Sequence, residues 1–205
     1  QVDLLTAWLA NRGVSVTAPT CDDIHTMGCG NLSCATSLEF QAANKRMHLD
    51  MSFEYSGDAN ADFARGMIPH HQGALEMCYV LQRSPNKDAE LDALCGRILN
   101  AQSLEISELS TWLKVAGFGP TPMCTGPGPS GGCVRQPPAQ WGCGSADCPL
   151  GTELRLMRNE LQEHLGVRYN CVQRYDTAMV MQALHGSINR TCAALSVAAP
   201  SGGFG

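Results

Sequence analysis

The sequence predicts an all-α protein, made of helical-bundle repeats joined by disulfide-rich Gly/Pro loops. Three observations predict it. Apolar residues recur at helical spacing over three long segments. The alternating apolar and polar pattern of a strand is nearly absent. The chain also repeats itself at an offset of 114 residues. With 205 residues, 44% of them apolar and 16% charged, there is enough material to bury a core.

The elements follow in chain order. Residues 2–13 open with a short apolar helix face, Leu5, Trp8 and Leu9. A helix is predicted over about 38–56, with Phe40, Ala43, Met47, Met51 and Tyr55 on one side. After the turn signal Ser56-Gly57-Asp58, a second helix over about 61–83 places Phe63, Met67, His70, Ala74, Met77 and Leu81 on one stripe, with a kink at Pro69. Ser84-Pro85-Asn86 ends it. A third helix runs over about 87–116 through Leu91, Leu94, Ile98, Leu104, Ile106, Leu109 and Trp112, and stops at Gly117. Residues 118–149 are rich in Gly and Pro, hold four Cys, and read as a stapled linker. Two further helices are predicted, over about 151–170 and 173–195, before a Gly-rich tail.

The repeat explains this order. The offset of 114 aligns Gly28-Cys29-Gly30 with Gly142-Cys143-Gly144 and Cys34 with Cys148, then Tyr55 with Tyr169, Asp62 with Asp176, Met67 with Met181, His71 with His185 and Cys78 with Cys192. At an offset of 104, Leu5, Trp8, Leu9 and Gly13 align with Leu109, Trp112, Leu113 and Gly117. Residues 1–20 are therefore read as the closing half of a repeat plus a linker, 21–117 as a complete repeat, and 150–205 as a partial second repeat of two helices and a tail. The partial repeat lacks a closing helix, and the Trp8 helix is the candidate to cover it. That helix can fold back within its own chain or come from a neighbour in a head-to-tail assembly, and the sequence leaves both open. A piece of a longer tandem array is a further reading.

Composition bounds the function. Fourteen Lys and Arg against nineteen Asp and Glu give a net charge of -5, with no basic block dense enough to follow a phosphate backbone, so nucleic acid is not expected as a partner. No apolar run reaches the ~18 residues of a membrane span. Eleven Cys without a C-x-x-C indicate a disulfide framework and an oxidising compartment. The sequons at Asn31 and Asn189 agree with secretion and N-linked glycans. If the second and third helices form an antiparallel hairpin, Cys78 and Cys95 lie equidistant from its turn and are expected to be bonded. Cys192 then lacks the partner that its counterpart Cys78 has, which makes it an intermolecular candidate.

The run Asp62, Phe63, Met67-Ile68-Pro69-His70-His71, Ala74 and Met77, followed by Gln102, Glu105-Ile106 and Trp112-Leu113, resembles the "domain of unknown function 305" family of ferritin-like helical domains. The resemblance is close over about residues 44–117, with a decayed copy in the second repeat. It implies a helical bundle, export in many members, and copper or other metal binding by Met and His in some. It implies no established reaction.

Read from the residues alone, Met67 and His71 stand one helical turn apart, and Met47, His48 and Met51 lie on the neighbouring helix; with His70 they form a candidate copper site, since thioether and imidazole suit that metal. The same residues serve equally as gap-filling core and a buried polar network. The second repeat has Leu161, Gln162, Leu165 and Leu184 at the matching positions, so a site belongs to the first repeat. Glu-x-x-His occurs nowhere, so ferritin-like di-iron chemistry is excluded. Gly128-Pro129-Ser130-Gly131-Gly132 fits G-x-S-x-G only in a linker without a preceding strand. The expectation is a secreted, non-enzymatic structural or assembly protein, with extracellular copper binding as the alternative.

Overall fold

The computed structural model describes residues 2–14, 29–56, 58–119, 143–144, 168–169, 175–182 and 184–185. Their elements are α1 (Val2–Ala10), β1 (Cys29–Gly30), α2 (Ala35–Asp50), β2 (Glu54–Tyr55), α3 (Ala59–Arg83), α4 (Ala89–Val115), β3 (Cys143–Gly144) and β4 (Arg168–Tyr169). A further helix, α5, covers 175–182. The class is all-α, because each strand is a two-residue ladder segment.

Local chemistry sets the two long helices. The Asp58 carboxylate accepts from the amides of Asn60 and Ala61 at 2.9 Å, capping the start of α3. Asp88 does the same for α4 through Glu90 and Leu91, at 3.0 and 3.3 Å. The α3 helix runs through Pro69 to Arg83, and the chain then turns back so that α3 and α4 form an antiparallel hairpin. Cys78 and Cys95 are disulfide-bonded across it, with their Cα atoms 5.2 Å apart, as the hairpin geometry predicts. Cys34 is disulfide-bonded as well.

The closing half-helix is legible in the backbone. After α4, Gly117 takes φ +81 and the Phe118 amide donates to the Leu113 carbonyl at 2.9 Å. After α1, Gly13 takes φ +67 and the Val14 amide donates to the Leu9 carbonyl at 3.1 Å. These are one and the same glycine-terminated cap, at positions related by the 104-residue offset.

In this structure α1 packs against residues 175–184 of its own chain. Leu5, Trp8 and Leu9, the residues assigned to assembly, are buried with Ala178, Met179, Val180, Met181 and Leu184 in one core that also holds Phe40, Ala43, Met47, Met77, Leu81 and Ile98. Trp8 meets Tyr175 edge-on at 6.0 Å, and the Gln182 amide donates to the Thr6 hydroxyl at 3.0 Å. The two repeats therefore share a core. They also interlock, since β1 pairs in parallel with β4 and β2 in parallel with β3. The 114-residue offset converts β1 into β3 and β2 into β4, so each repeat offers the same two segments to the other, as in a two-fold pairing.

Three expectations are corrected. The first long helix begins at Ala35 and ends at Asp50 instead of running over 38–56. Phe53 and Tyr55 leave it, bury beside each other with ring centroids 4.9 Å apart, and Tyr55 joins β2. Its counterpart Tyr169 likewise lies in β4, where the sequence predicts helix as far as 170. Leu104 and Trp112, placed on a core stripe by periodicity, are 60% and 41% exposed. At 3.6 residues per turn Leu104 lies about 120° or more around α4 from the buried Leu91, Ile98 and Gln102, outside the face that packs on the core. Phe63 is half-buried. The remainder of the predicted linker, the helix over 151–167, Asn189 and Cys192 lie outside the described residues.

Candidate functional site

The middle of α3 brings the predicted site residues into the shared core. Asp62 is buried and accepts from the Ser56 amide and hydroxyl, both at 2.8 Å, which fixes the approach to the helix. Two turns on, Met67, His70 and His71 are all buried. Their neighbours on α2 are His48, Met47 and Met51, buried too. Gly73 lets α2 and α3 approach closely, since a Cβ there would lie 2.6 Å from the Met47 sulfur.

Burial and hydrogen bonding define each imidazole. His71 Nε2 lies 2.9 Å from Glu105 Oε2 on α4. Burial, reinforced by nearby His185, lowers the His71 pKa to about 4, so the ring is neutral at neutral pH. The contact is thus a neutral N–H donating to a carboxylate, which leaves Nδ1 as the bare lone pair. That Nδ1 is buried with no hydrogen-bond partner among the described residues. Burial pushes the Glu105 carboxyl upward, with Glu108 adding to the shift.

His70 is driven well below the usual histidine range, first by burial and then by His71 and His185, against a hydrogen bond with the Leu184 backbone. Its ring meets that of His71 edge-on, centroids 5.8 Å apart. His48 also acts on His70. The His48 Nδ1 lies 3.1 Å from the Asn44 carbonyl oxygen and so carries the hydrogen. His185 donates from Nδ1 to the Met181 carbonyl at 2.8 Å and accepts at Nε2 from the Gln102 amide at 3.3 Å. Burial lowers its pKa as well.

The structure buries His48, His70 and His71, and His48, His71 and His185 all act on His70; His185 is not among the residues predicted from the sequence. The signal was present in the sequence as the pairing of His71 with His185, read there as a relic of duplication. Among the described residues no group of three or more His, Cys, Asp or Glu is arranged to hold a metal ion. Met47, Met51 and Met67 pack as buried side chains within the same helices.

Of the modification sites, Asn31 is exposed ahead of α2, and its Oδ1 accepts from the Ser33 amide at 3.1 Å and hydroxyl at 2.6 Å. Among the described residues no helix is long and apolar enough to cross a membrane.

Residues 60–136 match the family model described as Domain of unknown function (DUF305). The described part of that match is α3, α4 and the hairpin turn between them. No curated protein and no solved structure matches the chain.

Proposed function

We propose, from the premise that residues 60–136 belong to the DUF305 family, that this chain is a secreted, disulfide-reinforced, N-glycosylated structural protein without catalytic activity. It assembles by passing the helix that closes its second repeat to a neighbouring copy. The observation that carries the reading is the seat of α1. Leu5, Trp8 and Leu9 pack into one core with Ala178, Met179, Val180, Met181 and Leu184, far away in the sequence. The Thr6–Gln182 contact joins residues 176 positions apart. Contacts so remote in sequence form equally well when the helix comes from another molecule, which is the condition for exchange. The bonded Cys34, Cys78 and Cys95 support an oxidising compartment. Exposure of Asn31 supports a glycan there.

The native size of the material, by light scattering and electron microscopy under non-reducing conditions, tests the reading. A ladder of oligomers or filaments is expected. A uniform monomer at every concentration overturns it.

A second reading, extracellular copper binding, is favoured by one observation, the buried bare Nδ1 of His71 with Nε2–H held by Glu105. A metal-binding imidazole commonly has its other nitrogen oriented by a carboxylate in this way. His71 and Met67 would hold Cu(I), with the α2 residues Met47, His48 and Met51 nearest in the sequence pattern. The bound metal would supply a soft, redox-active centre. Competition with a Cu(I) chelator checks it, and a Kd weaker than about 1 μM, or roughly 8 kcal/mol, disposes of it.

A further inference from the structure

One face of α4 is exposed along nearly its whole length. Glu90, Ala93, Arg97, Ala101, Leu104, Glu108, Trp112 and Val115 are all exposed, and at 3.6 residues per turn they fall within an arc of about 100°. Leu104, Trp112 and Val115 are large apolar groups, 60%, 41% and 82% exposed. Arg97 and Glu108 have no ion-pair partner among the described residues. Beside the first half of this face, α1 and α4 form a groove of about 460 Å³ lined by Leu4, Trp8, Ala93, Leu94 and Arg97.

We propose that this face pairs with the same face of a second copy, antiparallel, about a two-fold axis passing between Ala101 and Leu104. The residues themselves choose the occupant and the register. That axis sets Arg97 opposite Glu108 twice, so each unpaired charge meets its complement. It sets Ala93, a small residue, opposite Trp112, so each indole enters the partner's groove beside Leu4 and Leu94. Ala101 and Leu104 face each other at the centre. The chain carries its own precedent for this use of the tryptophan. Trp8 stands at the position of Trp112 in the other repeat, and there a neighbouring helix leaves it only 6% exposed. The contact is isologous and closes at two copies, so it supplies a dimeric unit that exchange of α1 then extends. It rests on the assembly reading but uses a different surface.

Sedimentation velocity on the full chain tests it, with Arg97→Glu, Glu108→Arg and their equimolar mixture. Wild type is expected to dimerise with concentration. Each single variant sets like charges opposite each other twice and is expected to weaken dimerisation at least about tenfold, while the mixture restores it. Trp112→Ala, which also removes a stacked contact with Phe118 at 5.9 Å, is expected to weaken it too. Monomeric wild type, variants that dimerise like wild type, or a mixture no better than its components overturns the pairing. Dimers that never grow further leave this pairing standing and defeat the exchange of α1. Growth unaffected by either charge variant defeats the pairing and leaves exchange standing.

Discussion

The lone pair that His71 keeps on Nδ1 follows from where its proton goes, to Glu105 through Nε2. Its pKa of about 4, against 6.5 in the unfolded chain, has a stability consequence with a definite sign. Between those values the unfolded chain binds more protons than the folded one, so stability falls as pH falls from about 6.5 towards 4. His70 and His185 are lowered too and add slope in the same direction, each up to about 1.4 kcal/mol per pH unit. Thermal unfolding midpoints recorded across that range should drop steadily on acidification; a flat profile would contradict the neutral core imidazoles. Gly73 offers a steric test at the same level. Gly73→Ala sets a methyl against Met47 and is expected to cost about 1–3 kcal/mol by denaturant titration, with part recovered by adding Met47→Ala. Residue types alone indicated His48, His70 and His71. They did not indicate His185, because only the packing of α5 against α3 turns a repeated histidine into a neighbour.

Helix α4 shows what periodicity can and cannot tell. Its terminal Gly117 and disulfide partner Cys95 were legible, since each follows from local chemistry or from the symmetry of a hairpin. Leu104 and Trp112 were misplaced because an apolar stripe says that a face is apolar and not what covers it. Tyr55 was misplaced for a related reason: its spacing continues the helix, and only pairing with residues 143–144 pulls it into a ladder. The α3–α4 hairpin itself is closed by Cys78–Cys95 over a separation of 17 residues. Removing that link by Cys78→Ala with Cys95→Ala is expected to cost about 3 kcal/mol, chiefly by releasing the unfolded chain. Calorimetry of the double variant checks it, and an unchanged midpoint would mean that the hairpin is held by packing alone.

At the level of the whole molecule, α1 and residues 178–184 share a single core with α2, α3 and α4 although they lie far apart in the sequence. The recurrence of rare residues in order at the 114-residue offset was readable from the sequence. The crossed ladders β1–β4 and β2–β3 were not, because two-residue strands leave no alternation to detect. Trp8→Ala is expected to cost about 3–5 kcal/mol, since the side chain is buried against Tyr175 and carries Arg12 stacked over its ring at 4.0 Å. An unaltered denaturation midpoint would show that α1 is dispensable to the core. The position of α1 also sets an order of events. Its partners at 175–184 are synthesised long after it, and Ser37 waits likewise for Asp176, 139 residues away. The α3–α4 hairpin has only local contacts to make and can form early, whereas α1 must stay undocked until residues 175–184 exist. Throughout that interval the apolar face of Leu5, Trp8 and Leu9 is without the partners that bury it in the folded chain.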